Sequence, residues 1–201
     1  MKSVLVTAFE PYDRWTTNAS WLCLVELTRE LPSQPNLVTR RYPVDFAAAR
    51  QRLSADLESG FDYVIHLGQS PGDAAVRLEA IGLNVGAEAG DLAAGHFPLE
   101  PDGPVAYRSS LPLALWQAKL RQAGIPARLS FHAGTYLCNA LLYWTHYLSE
   151  RMGRRTEAAL VHVPLELSQV AAGEPLPALP AAVTASAVRL ILNELNPPAG
   201  A

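Results

Sequence analysis

Cys138 is the residue with the most chemistry to offer in this sequence. It lies in His132-Ala133-Gly134-Thr135-Tyr136-Leu137-Cys138-Asn139, where a short strand-like run gives way to a helical pattern. The first turn of a helix leaves backbone N–H groups unpaired and favours negative charge. A thiolate held there is a nucleophile, and the same N–H groups suit the oxyanion of an acyl transfer. The competing reading is a small core residue, since free cysteines are mostly buried. His162 closes the run Ala159-Leu160-Val161-His162 before Val163-Pro164. A neutral imidazole at a strand end can take a thiol proton, and the pair would be an activated nucleophile; a hydrogen-bonded structural histidine fits the same position. Glu79 sits on a strand-like segment among apolar neighbours, and a buried carboxylate needs a partner. Arg77, two residues away on the same face, is one. His162 is the other, in which case Glu79 orients the imidazole and stabilises its charged form.

Other chemistries find less support. The histidines at 66, 96, 132, 146 and 162 and the two cysteines show no Cys-x-x-Cys or His-Glu-x-x-His spacing, so no metal is expected. Gly68 and Gly72 do not make a dinucleotide fingerprint and there is no Gly-x-x-x-x-Gly-Lys loop, so no organic cofactor is expected either; Cys138 is also not in the Gly-x-Cys-x-Gly elbow of another nucleophile class. Cys23 reads as a core residue of the first helix. A redox-sensing pair of Cys23 and Cys138 lacks a resolving cysteine close in sequence.

The elements that must position these residues alternate along the chain. Val4–Phe9 reads as a strand buried on both faces, ended by Glu10-Pro11. Asn18 caps a helix from Ala19 to Leu31 with Trp21, Leu24, Val25 and Leu31 on its apolar stripe. Leu37–Tyr42 is a second strand. Asp45 caps a helix carrying Phe46, Ala49, Leu53 and Leu57, which Gly60 stops, and Tyr63–Leu67 is a third strand ended by Gly68. Residues 75–85 read as one extended strand, with Val76, Leu78 and Ala80 opposite Arg77, Glu79 and Ile81. Residues 86–107, with four glycines and three prolines, form a long irregular loop. Then come a helix over Leu113–Gln122, a strand over Ala127–His132, a helix from Tyr136 to Glu150 and a strand over Ala158–Val163. A proline-rich surface segment over 164–180 and a closing helix over Ala181–Leu195 complete the chain. The alternation predicts one α/β domain with a mostly parallel sheet and helices on both faces. Ligands in such folds sit beyond the carboxyl ends of strands.

Composition fits a globular enzyme or binding protein. The 201 residues are 49% hydrophobic and 17% charged, which argues against disorder. Sixteen basic against nineteen acidic residues leave a net charge of −3, so nucleic acid is not an expected partner. Two cysteines make no disulfide framework. Glu10 and Asp13 interrupt any signal-like apolar stretch, and no run approaches the ~18 apolar residues of a membrane span, so a cytoplasmic protein without membrane contact is expected.

Taken together, these segments resemble the pyroglutamyl peptidase I (pyrrolidone-carboxylate peptidase) family of cysteine peptidases over essentially the whole chain. The resemblance is carried in order by Thr7-Ala8-Phe9-Glu10-Pro11-Tyr12 with Asn18-Ala19-Ser20, His66-Leu67-Gly68-Gln69, and Leu78-Glu79 with Gly82 and Asn84. Asp102-Gly103-Pro104, Ala123-Gly124-Ile125-Pro126, Ala133–Asn139 and Val161-His162-Val163-Pro164 follow. It implies a three-layer α/β/α sandwich over residues 1–201. It also implies a triad of Cys138 (nucleophile), His162 (base) and Glu79 (orienting acid), acting on peptides with an N-terminal pyroglutamate. Phe9, Tyr12, Asn18, Gln69 and Leu137 would contact the substrate, and a homo-oligomer is implied by analogy. Ala8, Tyr12, Asp13-Arg14 and Ala80 depart from the family pattern, and residues 86–100 hold no arginine where many members carry one. The alternative from a different class is a non-catalytic protein of the same fold that binds a cyclic amide or a peptide end.

Overall fold

Both faces of the first strand are apolar because both are covered. In the computed structural model, which describes residues 2–31, 35–88, 95–170 and 175–195, β1 (Ser3–Phe9) lies inside a six-stranded sheet. Its companions are β2 (Asn36–Tyr42), β3 (Tyr63–Gln69), β4 (Val76–Glu79), β7 (Ala127–Ser130) and β8 (Glu157–Val163), in the order β2-β1-β3-β8-β4-β7. β2, β1, β3 and β8 run parallel; β4 is antiparallel to β8 and parallel to β7. The helices are α1 (Ala19–Thr28), α2 (Phe46–Leu57), α3 (Leu113–Gln122), α4 (Leu137–Arg151), the short α5 (Leu167–Val170) and α6 (Ala181–Leu195). Strand periodicity sorts the side chains into two cores. Val4, Val6, Ile65, Leu67, Val161 and Val163 pack with α1, α3 and α6. Leu5, Phe9, Val64, Ala158 and Leu160 pack with α2 and α4. The result is a three-layer α/β/α sandwich with a mostly parallel sheet.

Local chemistry sets the element ends. Asn18 Oδ1 accepts from the Ser20 N–H at 3.0 Å, and Asp45 Oδ1 from the Ala48 N–H at 2.7 Å, so each fills one of the orphan donors of its helix. Gly60, at φ 76°, ends α2 in the left-handed region. One internal tie crosses three elements. His66 Nε2 lies 2.8 Å from Thr145 Oγ1, whose proton goes to the Leu141 carbonyl, and His66 Nδ1 lies 2.7 Å from Thr7 Oγ1. The imidazole therefore donates from Nε2 to α4 and accepts at Nδ1 from β1. Burial holds it neutral, with its pKa down at about 3.

Several boundaries differ from the sequence expectation. α1 ends at Thr28, and its buried stripe is Ala19, Ser20, Cys23, Leu24 and Leu27, while Val25 and Leu31 are exposed. Leu24 and Trp21 of the expected stripe do pack on the core, and only Val25 and Leu31 face away from it. Gly68 lies within β3 instead of ending it, because its paired neighbour is a strand residue, His162 of β8. The segment 75–85 is two strands. β4 stays in the main sheet, and β5 (Ile81–Leu83) pairs with β6 (Ala106–Arg108) in a separate ribbon. The chain turns at Ala80, whose N–H bonds Ser130 and whose carbonyl accepts from Ser109. Gly82 then lets β5 lie directly on α4, since a Cβ there would come 2.7 Å from the Tyr143 nitrogen. The 86–107 loop contains the start of β6 and a Gly86–Phe97 bridge, with residues 89–94 outside the described set. β7 stops at Ser130, two residues early, and the 164–180 segment holds α5, with residues 171–174 undescribed.

Candidate active site

The carboxyl ends of β1, β3 and β8 and the start of α4 converge on Cys138. α4 opens at Leu137 after Tyr136, whose side chain makes no capping bond, and the first turn carries no acidic residue. Its first intrahelical bond runs from the Ala140 N–H to the Tyr136 carbonyl. The N–H groups of Leu137, Cys138 and Asn139 are thus the orphan donors of this end, in the place where an anion is stabilised. The helix end is fixed by Asn139, which the sequence reading passed over. Its Oδ1 accepts from the Leu83 N–H at 2.8 Å, and its Nδ2 donates to the Leu83 and Val85 carbonyls at 2.9 Å each. An Asn directly after the candidate nucleophile, with a strand-like segment to receive it, was the available signal.

His162 faces Cys138 from β8. The two meet over Gly68: a Cβ there would lie 2.6 Å from Cys138 Sγ, 2.8 Å from His162 Cδ2 and 3.1 Å from His162 Nε2. On the far side of the ring, His162 Nδ1 lies 2.8 Å from Glu79 Oε1. With Nδ1–H given to the carboxylate, Nε2 is the ring atom turned to the thiol. His162 is buried, which works against its charged form. The negative charge of Cys138 and the hydrogen bonds to Cys138 and Glu79 outweigh that and raise its pKa to about 9. Glu79 is fully buried, which also works against its charge; the hydrogen bond and charge of His162, the Ser130 hydroxyl and the Arg77 guanidinium together hold its pKa below the usual range.

Arg77 and His162 both partner Glu79, so the two options of the sequence reading hold together. Arg77 Nε donates to Glu79 Oε1 at 2.8 Å, Nη2 reaches the same oxygen at 2.7 Å, and Nη2 passes 3.3 Å from His162 Nδ1. Arg77 Nη1 is anchored by Asp73 at 3.0 Å. A cation and an imidazole therefore share one carboxylate oxygen.

Beside Cys138 is a narrow, mainly apolar slot. It is lined by Phe9, Tyr12, Asn18, Gln69 and Leu137, the five residues expected at the substrate, and also by Val44 and Tyr136. Asn18 reaches the slot while its amide is committed to the α1 cap and to the Glu10 carbonyl at 2.9 Å. Asp13, next to Tyr12, takes φ 53°, a left-handed conformation that Asp tolerates better than most residues. Burial pushes the Tyr12 hydroxyl up to about 12. Gln69 is buried; its Oε1 accepts from the Ala19 N–H at 2.7 Å. Its Nε2 is buried beside the Tyr12 hydroxyl and makes no well-aligned hydrogen bond among the described residues. A wider groove of about 410 Å³ continues from the slot past Ser70, Arg77, Gly134, Thr135 and His162.

Cys23 packs against α6 on one face of the sheet, and Cys138 packs on the other, so the sheet separates them. Both thiols are free. Among the described residues, no group of three or more His, Cys, Asp or Glu is arranged to hold a metal, and no helix is long and apolar enough to cross a membrane.

Residues 2–195 match the family model described as pyroglutamyl peptidase. The pyrrolidone-carboxylate peptidase of Streptomyces coelicolor is 35% identical over 200 residues, covering 96% of this chain and 91% of that one. The pyrrolidone-carboxylate peptidase of Erwinia tasmaniensis is 36% identical over 170 residues, covering 82% and 78%. The structure of pyrrolidone carboxyl peptidase from Fervidobacterium islandicum AW-1 superposes with a TM-score of 0.90 at 30% identity, covering 97% of this chain and 98% of that one. The corresponding peptidase of Thermococcus litoralis gives a TM-score of 0.87 at 30% identity, covering 94% and 91%.

Proposed function

The chain belongs to the pyroglutamyl peptidase family and is a cysteine peptidase that removes N-terminal pyroglutamyl residues, and we propose that Cys138, His162 and Glu79 carry out that hydrolysis. The observation that supports this most directly is the convergence of Cys138 Sγ and His162 Nε2 over Gly68, with Glu79 on the other ring nitrogen.

His162 Nε2 takes the Cys138 proton, and Glu79 stabilises the resulting imidazolium through Nδ1–H. The thiolate attacks the carbonyl carbon of the pyroglutamyl residue. Its oxygen becomes an oxyanion held by N–H groups of the first turn of α4. His162 returns the proton to the leaving amine as the C–N bond breaks, leaving a thioester on Cys138. Water, deprotonated by His162, attacks the thioester, releasing pyroglutamate and the free thiol.

The substrate ring is an uncharged lactam, so its site needs an apolar slot and a small number of polar contacts. Phe9, Tyr12 and Leu137 supply the walls. Gln69 Nε2, buried and without a well-aligned hydrogen bond, donates to the lactam carbonyl, which repays an otherwise costly burial. The peptide beyond the scissile bond leaves along the wider groove. We place the enzyme in the cytoplasm, where its two free thiols stay reduced.

Cys138→Ala tests the assignment. The variant should lose all measurable release of a fluorophore from a pyroglutamyl amide. Wild type should show a transient mass gain of one pyroglutamyl group on Cys138. Full activity in the variant would assign the nucleophile elsewhere, and a pure binding protein would show neither turnover nor adduct.

A further inference from the structure

Gln69 can serve the slot only if its amide is turned the right way, and the structure shows what turns it. Gln169 of α5 has an amide with no freedom left. Its Oε1 accepts from the Glu166 N–H at 2.8 Å. Its Nε2 donates to the Thr17 carbonyl at 3.0 Å and to Gln69 Oε1 at 2.8 Å. Backbone groups fix the direction of this chain, since Glu166 N–H can only donate and Thr17 C=O can only accept. Gln69 Oε1 receives a second bond from the Ala19 N–H at 2.7 Å, a group that also can only donate. A flipped Gln69 amide would set its NH2 against two donors. The network therefore fixes Nε2 as the buried end of the amide that makes no well-aligned hydrogen bond, turned toward the Tyr12 hydroxyl in the wall of the slot.

We propose that Gln169 is a specificity-determining positioning residue. It acts through Gln69 to make the slot a hydrogen-bond donor, selecting rings that carry a carbonyl, such as the pyroglutamyl lactam, over the otherwise similar prolyl ring, which has no carbonyl and carries an ammonium. This rests on the assignment of Gln69 to the lactam carbonyl above. Gln169 itself does not touch the reacting atoms. α5 thus acts as a brace for the substrate side of the site, reaching across from beyond β8 to the loop before α1.

A double-mutant cycle on the full-length enzyme tests it. Wild type, Gln69→Met, Gln169→Met and the double variant are assayed with a pyroglutamyl and a prolyl amide of the same fluorophore. Gln169→Met should raise KM for the pyroglutamyl amide about tenfold, the loss of one neutral hydrogen bond, with kcat within twofold. The rate of Cys138 alkylation by iodoacetamide should stay unchanged. Because Gln169 acts through Gln69, the double variant should be no worse than Gln69→Met alone. Gln169→Glu, which cannot donate to Gln69 Oε1, should reproduce the KM effect and serves if the methionine variant does not fold. An unchanged KM in the position-169 variants, penalties that multiply in the double variant, or alkylation that slows in step with KM would each overturn the proposal. If Gln69→Met itself leaves KM unchanged, the assignment of Gln69 to the lactam carbonyl is what has failed, and the role of Gln169 falls with it.

Discussion

Replacing Gly68 by alanine adds one methyl group at the point where the nucleophile and the base meet. That carbon would lie 2.6 Å from Cys138 Sγ and 2.8 Å from His162 Cδ2. Comfortable heavy-atom contact is ~3.5–4.0 Å, so each neighbour must retreat by about 1 Å. Neither the new methyl nor the ring can retreat freely. Gly68 and His162 are register partners in the middle of the parallel sheet. The ring is also tethered at Nδ1 to Glu79, and Cys138 rides on a helix pinned by Asn139. The strain falls on the Cys138–His162 separation. Overpacking of this kind costs about 1–3 kcal/mol of stability, or roughly 3–10 °C in Tm for a chain of this size. A displacement of about 1 Å in a reacting pair costs on the order of 100-fold in rate. Gly68→Ala should therefore remain folded at 25 °C yet lose about two orders of magnitude in kcat/KM on a pyroglutamyl amide, with most of the loss in kcat. A variant with kcat/KM within threefold of wild type would refute the convergence of thiol and imidazole over this residue, and the triad with it.

Two further predictions concern protons. The alkaline limb of kcat/KM should follow His162, whose pKa is raised to about 9, and activity should fall as pH rises through that value. Glu79→Gln removes the anion on Nδ1 and should move the limb down by about one to two pH units. Arg77→Met removes a cation 3.3 Å from the same nitrogen and should move the limb up; shifts in one direction for both variants would contradict the shared-oxygen geometry. Separately, burial lowers the pKa of His146 to about 4, and its Nε2 has no partner among the described residues. A depressed histidine stabilises the fold above its ordinary value near 6.5, and that contribution is lost as pH falls toward 4. His146→Phe, which keeps the ring stacked on Tyr107, should be more stable than wild type at pH 5 by roughly 2 kcal/mol, or about 4–8 °C in Tm, with the advantage shrinking above pH 7. A constant difference in Tm from pH 5 to 8 would rule out titration as the cause.

The parts of this molecule legible in its sequence are those written in local patterns. β1, β3 and β8 announce themselves as apolar runs because both faces of the sheet are covered, and the caps at Asn18 and Asp45 mark helix starts by their own hydrogen bonds. Cys138 and His162 were visible because a helix start and a strand end are local features. What was hidden depends on partners far along the chain. Gly68 looks like a strand stop in sequence, and only the approach of residues 138 and 162 shows that it is a space inside a strand. The α1 stripe is only partly legible: Trp21 and Leu24 pack on the core, but the apolar residues of 19–31 satisfy more than one helical face, and the packing of α6 favours Cys23 and Leu27 over Val25 and Leu31. The break at Ala80 was hidden because alternation persists through it; the change of partner from β8 to β6 has no signature in residues 75–85.

The same distinction explains why the catalytic assignment and the specificity assignment reach different depths. A Cys–His–Glu arrangement needs particular residue types, and few substitutes do the same chemistry, so residue identity alone points to it. Recognition of a lactam needs only a donor in an apolar slot, and an amide side chain can present either of its ends. Gln69 is informative in sequence only as a polar residue at a strand terminus. Under the proposed assignment it is a donor because Ala19 N–H and Gln169 Nε2 both claim its oxygen, and Gln169 can make that claim only because α5 forms in a proline-rich segment that reads as surface loop. The polarity of the slot is thus a property of three chain segments together, and changing either end of the Gln69–Gln169 pair should be felt at the substrate ring while the thiol and imidazole remain in place.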